Sequence, residues 1–144
     1  MTAVATSSAI DQGQLTHAAS AAPTLDRHVV GWLRLEGLAA FITGIAIYGQ
    51  LGGDWIWFIP AFLLVDVSAV GYLGGPRLGA LTYDFAHNWA VALAVLGLGL
   101  ALSAPLLALS GAVLVGHIGA DRAVGYGLKL ASGFKDTHLG RMGR

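Results

Sequence analysis

The sequence contains no cysteine and few charged residues. Of its 144 residues, 8 are basic, 8 are acidic and none is cysteine. Without cysteine there are no disulfides, no thiolate catalysis and no thiolate-ligated metal. Charged residues make up 11% of the chain, against about 25% in soluble domains, which is too few for the polar surface of a soluble domain. The net charge is zero, so no overall positive field attracts nucleic acid, and we exclude that partner class.

What the chain has instead is apolar residues, 56% of the total, with a mean hydropathy of +0.69. They form four runs, each about as long as the ~20 residues that a helix needs to cross the hydrocarbon core of a bilayer. We therefore predict an all-α integral-membrane four-helix bundle within residues 29–128. A flexible N-terminal tail is expected at 1–28 and a basic polar C-terminal tail at 129–144. The expected helices span about 33–51, 55–73, 81–102 and 104–121.

The basic residues indicate the orientation of the bundle. An even number of spans places both termini and the loop between the second and third helices on one side of the bilayer. All eight basic residues then lie on that side, which the positive-inside rule makes cytoplasmic. This distribution favours a multi-pass protein of the bacterial inner membrane. The basic residues are Arg27, Arg34, Arg77, Arg122, Lys129, Lys135, Arg141 and Arg144.

Four ionisable residues are expected to meet at the cytoplasmic end of the bundle. Asp66 lies near the end of the second helix, His87 near the start of the third, and His117 and Asp121 near the end of the fourth. His117 and Asp121 are four residues apart and share a helix face. Neutral imidazole and carboxylate ligands suit zinc or, with more oxygen ligands, manganese. We predict that His87, His117 and Asp121 hold a divalent metal and that Asp66 acts as the general base.

Further polar residues near this end are expected to support the site or to cover it. Two other interpretations stay open. The same charges can form a purely structural network in which Asp66 pairs with an arginine, or they can line a path for protons or ions. The supporting or covering candidates are Glu36, Asp84, Arg122, Asp136 and His138.

The fourth helix carries small residues at every fourth position, which lets another helix approach closely. We interpret this stripe as a packing seam within one subunit. The alternative is a homo-oligomer or a membrane-protein partner held through the same kind of Gly/Ala seam. The stripe consists of Ala104, Ala108, Ala112, Gly116 and Ala120.

Three blocks resemble the bacterial integral-membrane family named domain of unknown function 4260. They are RLEGLAAF (34–41), VDVSAVGYLGGPRLGALTYDFAH (65–87) and HIGADRAVGYGLKLASGFKDTHLGR (117–141). The resemblance covers about residues 34–144 and implies a membrane fold, with no activity established for the family. A weaker likeness to small membrane-bound metal-dependent hydrolases rests on the order of Asp66, His87, His117 and Asp121.

The sequence thus favours a small inner-membrane protein with a cytoplasm-facing His/Asp pocket. The most concrete hypothesis is a metal-dependent hydrolase acting on a lipid-like or phosphorylated substrate. A non-catalytic accessory or scaffold subunit is the alternative. A small transporter or proton-conducting element is the third reading, which the scarcity of polar residues in the outer half of the bundle disfavours.

Overall fold

The computed structural model describes residues 25–142, so residues 1–24 of the predicted N-terminal tail lie outside the described residues. Four helical segments of this part of the chain are long and apolar enough to cross a membrane, which confirms the predicted four-helix membrane fold, to which the structure adds a small C-terminal sheet. In chain order the elements are α1 (Arg27–Gln50), α2 (Trp55–Leu64), a 3-10 helix (Val65–Gly74), α3 (Pro76–Ala86), α4 (Trp89–Ala101), α5 (Pro105–Val124), β1 (Lys129–Leu130), β2 (Gly133–Thr137) and β3 (Gly140–Arg141).

Local sequence explains where several helices begin. The Asp54 carboxylate accepts a hydrogen bond from the Ile56 N–H at 3.0 Å and caps α2. The Asn88 side chain caps α4 in the same way, accepting from the Ala90 N–H at 2.8 Å. Prolines occupy the first turns of α3 and α5, where their missing N–H would have no helical partner. Helices α2 to α5 therefore start at residues suited to the unpaired backbone donors of a first helical turn.

Two of the predicted spans are built from two pieces each. The second span passes from α2 into the 3-10 helix at Val65. The third span comprises α3 and α4, with a break at His87 and Asn88, where Asn88 adopts an extended conformation. The break ends α3 at the residue that carries one of the two site imidazoles.

Helix α5 forms the centre of the bundle, because α1 and α4 both pack on it. Gly44 of α1 faces Gly116 of α5, and a Cβ at Gly44 would lie only 2.6 Å from the Gly116 Cα. On the other side, Gly99 of α4 is equally close to the backbone of Ala108. The small-residue stripe of α5 is therefore used inside the subunit, with Ala108, Ala112 and Gly116 all buried.

The C-terminal segment folds into a small antiparallel sheet in the order β1-β2-β3. It packs against α3: the Lys129 N–H donates to the Asp84 carboxylate at 2.6 Å. The ring of Phe134 meets Tyr72 of the 3-10 helix edge-on, with ring centroids 5.3 Å apart. The described part of the predicted polar tail thus lies over one end of the bundle, next to the segments that carry the predicted site.

Candidate metal centre

Two buried imidazoles face each other between α3 and α5. The Nε2 atoms of His87 and His117 lie 3.1 Å apart, although the two residues are 30 positions apart in sequence. The exposed fractions of the two residues are 1% and 2%. The packing of the helices brings them together. His87 is the capping residue that follows α3, and His117 lies about two turns before the end of α5.

The orientation of the His87 ring is fixed from two sides. Its Nδ1 lies 2.8 Å from the Tyr83 carbonyl oxygen, which can only accept, so Nδ1 carries the proton and donates. The ring also stacks on that of Tyr83, with centroids 3.6 Å apart and planes 8° from parallel. Neutral His87 therefore presents a lone pair on Nε2. This is the arrangement found in metal-ligating histidines, whose other nitrogen donates to a carbonyl or carboxylate.

Asp66 completes the group from the 3-10 helix. Its Oδ1 lies 3.4 Å from Nε2 of His117 and 3.7 Å from Nε2 of His87. The three residues place one ligand atom each within 4.8 Å of the others. The side chain of Asp66 is 54% exposed, unlike the two imidazoles. The group is thus buried on its nitrogen side and open on its carboxylate side.

Asp121 lies beside this group. Its Oδ2 is 3.7 Å from Nε2 of His87 and accepts a hydrogen bond of 2.6 Å from the Tyr83 hydroxyl. Asp121 shares a helix with His117, as its spacing predicted, yet the compact three-residue group contains Asp66 in its place. All four predicted site residues therefore lie together. Asp66 lies close to both imidazoles, whereas Asp121 lies beside His87.

The far side of His117 is apolar. Its ring lies 4.5 Å from the ring of Phe62, centroid to centroid. Within residues 25–142, its Nδ1 is buried and has no hydrogen-bond partner. Among residues 25–142, the polar groups nearest to this imidazole therefore lie on its Nε2 side, where His87 and Asp66 are.

In the described part of the chain, none of the five predicted supporting or covering residues pairs with the two imidazoles. Glu36 and Arg122 line one cavity together with His138, and Arg122 donates to the Tyr126 carbonyl at 2.9 Å. Asp84 accepts from the backbone of Lys129. Asp136 instead pairs with Arg141 on the sheet, at 3.5 Å between carboxylate and guanidinium, and does not face the imidazoles.

Two residues beside the site escaped the sequence reasoning. Tyr83 precedes His87 by one helical turn, but no motif in the sequence indicates a role for it in the site. In the sequence, Lys129 is one of the basic residues that indicate the orientation of the bundle. In the structure it is buried, with 4% of the residue exposed, and its Nζ lies 4.2 Å from the centroid of the Phe134 ring. Burial lowers the pKa of the Lys129 ammonium, an effect that the nearby carboxylates of Asp121 and Asp84 oppose. Only the i, i+4 relation of Tyr83 to His87 was visible in the sequence.

The sheet is expected to loosen under mild acid because of His138. The Nδ1 of His138 accepts from the Leu128 N–H at 2.8 Å, and burial and the Arg122 charge lower its pKa. A histidine whose pKa is lower in the folded than in the unfolded state costs stability as the pH falls below about 6.5. The protection factor of the Leu128 amide in hydrogen exchange, which corrects for the fall of the intrinsic exchange rate with pH, should therefore decrease over that range. His138→Asn, which keeps an acceptor without a titrating group, should remove the pH dependence; if it persists, another group is responsible.

These features define a multi-pass α-helical membrane protein with a His/Asp group between its helices. The family model described as domain of unknown function 4260 matches residues 30–142. The chain therefore belongs to this family. No curated protein and no solved structure is significantly similar to it, and the likeness to metal-dependent hydrolases finds no support in these comparisons.

Proposed function

We propose that His87, His117 and Asp66 bind a divalent metal and that the protein is a metal-dependent membrane hydrolase. The observation that carries the proposal is the 3.1 Å separation of two buried Nε2 atoms, with a carboxylate oxygen 3.4 Å from one of them. At ligand distances of about 2.0–2.1 Å, a tetrahedral zinc ion holds neighbouring ligand atoms about 3.3 Å apart. The group needs only small movements to reach that geometry.

The number of ligands supports a catalytic rather than a structural ion. Catalytic zinc sites have three protein ligands and one open position, whereas structural sites have four. Here two imidazoles and Asp66 provide three ligands, and the exposed side of Asp66 leaves the fourth direction accessible. An ion bound there would supply a water whose pKa is lowered toward ~7.

The sequence predicts that Asp121 is a metal ligand and Asp66 the general base. The contacts of the two carboxylates support the reverse assignment. Asp66 is close enough to both imidazoles to be a ligand, while Asp121 is held by the Tyr83 hydroxyl. A carboxylate oriented by a phenol and lying 3.7 Å from a ligand nitrogen is well placed to accept a proton from a metal-bound water. We therefore assign Asp121 as the general base and Tyr83 as its positioning residue.

The setting of the site supports a lipid-like or phosphorylated substrate at the cytoplasmic face of the bacterial inner membrane. The positive-inside distribution of the basic residues favours that orientation. Lys135 is exposed on β2 of the C-terminal sheet, and its positive charge would attract anionic headgroups.

The contacts also favour a second candidate, a structural polar network in a non-catalytic membrane subunit. With Nδ1 of His87 protonated, Nε2–H of His117 can donate directly to Nε2 of His87 across the 3.1 Å gap. Such a bond would join α3 to α5 without a metal. The two functions differ in metal content, and so they are separable by experiment.

Asp121→Asn tests the catalytic assignment. The protein, loaded with zinc or manganese in detergent micelles, is assayed for phosphate release from short-chain phosphatidic acid and from p-nitrophenyl phosphate. Loss of the base is expected to lower kcat by about 10²–10⁴-fold while leaving the metal content unchanged. Tyr83→Phe should lower it by about 10–100-fold, as removal of a ligand-orienting partner does.

Asp136→Asn is the matched control, because this carboxylate pairs with Arg141 on the sheet and should not affect turnover. Stoichiometric metal without turnover on either ester would reject hydrolysis of phosphate esters and retain the metal centre. A protein that takes up no metal would support the structural network.

A further inference from the structure

A second cavity lies at the same end of the bundle, apart from the imidazole pair. It encloses about 400 Å³, within the range of small-molecule sites. It is bounded by α1, the start of α4, the end of α5 and the C-terminal sheet. Its lining residues are Leu33, Glu36, Gly37, Trp89, Arg122, Leu128, His138 and Leu139.

Two opposite charges line this cavity without pairing with each other. Among the described residues, neither Glu36 nor Arg122 has an ion-pair partner within 4.0 Å. Arg122 is only 8% exposed, and its guanidinium makes one hydrogen bond, to the Tyr126 carbonyl. A guanidinium has five N–H donors. Since these free donors are not among the buried atoms without a partner, and Arg122 lines the cavity, they are accessible from the cavity, where an anionic ligand would pair with them.

The carboxylate of Glu36 disfavours a ligand that carries only negative charge. An anion alone would satisfy Arg122 and be repelled by Glu36, whereas a ligand with both an anionic and a cationic group would satisfy both. Most of the remaining wall is apolar and includes Leu33, Trp89 and Leu139, while His138 adds an imidazole to it. Outside the cavity, the membrane-facing side of α1 is apolar, with Trp32 67% and Leu35 54% exposed.

We infer that this cavity binds the headgroup of a zwitterionic phospholipid with a primary ammonium, as in phosphatidylethanolamine. Arg122 binds the phosphate, Glu36 accepts hydrogen bonds from the ammonium, and the acyl chains lie along α1. The inference is independent of the proposed metal centre, because it involves none of the three metal-binding residues.

The test is native mass spectrometry of the full chain released from detergent, with phosphatidylethanolamine, phosphatidylcholine and phosphatidylglycerol of identical acyl chains. The wild type should bind phosphatidylethanolamine at least tenfold more tightly than the other two lipids. Phosphatidylcholine lacks N–H donors for Glu36, and phosphatidylglycerol lacks the cation. Glu36→Gln should abolish the preference, and Arg122→Gln should weaken binding of all three.

Arg141→Gln is the control, since this exposed arginine does not line the cavity and should leave binding unchanged. Glu36 is exposed, so Glu36→Gln is expected to fold even if the Arg122 variant does not. Equal binding of the three lipids, or a preference that survives Glu36→Gln, would overturn the inference. Soluble phosphoethanolamine that binds as tightly as the lipid would also overturn it, in favour of a free headgroup compound.

Discussion

His117→Ala is expected to lower the affinity for zinc or manganese by more than 100-fold. Loss of a partner that only orients a metal ligand already costs about 10–100-fold, and His117 supplies one of three candidate ligand atoms. Metal content of the detergent-purified protein by plasma mass spectrometry, followed by titration against a competing chelator, measures the effect. His138→Ala removes an imidazole from the turn between β2 and β3, away from the metal-binding group, and is expected to retain the metal.

His117 is buried against Phe62, so its truncation also removes packing. Asp66→Asn avoids this difficulty, because the side chain is exposed and the change keeps its shape. A folded Asp66→Asn protein that binds metal as tightly as the wild type would remove Asp66 from the ligand set. A wild type that stays metal-free after incubation with zinc would reject the centre altogether.

Gly44→Ala is expected to destabilise the bundle by about 1–3 kcal/mol, the usual cost of overpacking a tight core. A Cβ at this position would lie 2.6 Å from the Cα of Gly116 and 2.9 Å from the carbonyl oxygen of Ala112. Both obstacles are backbone atoms, so α1 would have to move away from α5. Denaturant titration in detergent, followed by circular dichroism, gives the change in unfolding free energy.

Gly31→Ala is the matched control on the same helix, because no atom lies within 4 Å of a Cβ placed there. It is expected to be neutral or slightly stabilising, since alanine has a higher helix propensity than glycine by up to about 1 kcal/mol. Equal stability of the two variants would show that α1 and α5 are farther apart in the protein than the Gly44–Gly116 approach of this structure requires.

The membrane-spanning helices were predictable because length and apolarity alone identify them. The break at His87 and Asn88 was not, since the apolar run continues on its far side and the capping residue Asn88 is inconspicuous there. The 3-10 segment carries no sequence signal of its own. The sheet at the C-terminus is made of strands of two to five residues, too short for alternation to be recognised.

The candidate site was predictable to the level of which residues meet, but not of how they are arranged. Spacing places His117 and Asp121 on one helix face, and topology brings Asp66 and His87 to the same end. Periodicity does not give the rotation of each helix about its own axis. That rotation decides that Asp66 approaches both imidazoles while Asp121 contacts the Tyr83 hydroxyl.

The 3-10 helix that follows α2 makes the second span longer than an α-helix of the same number of residues. Each of its ten residues advances the chain by about 2.0 Å, compared with about 1.5 Å in an α-helix. The second span therefore reaches about 5 Å farther than an α-helix with the same number of residues, close to one full α-helical pitch. Tyr72 of this helix lies against Phe134 of the sheet, with ring centroids 5.3 Å apart. The same stretch also has three residues per turn, which aligns Ser68 with Gly71 along one edge, where both contact Thr82 of α3.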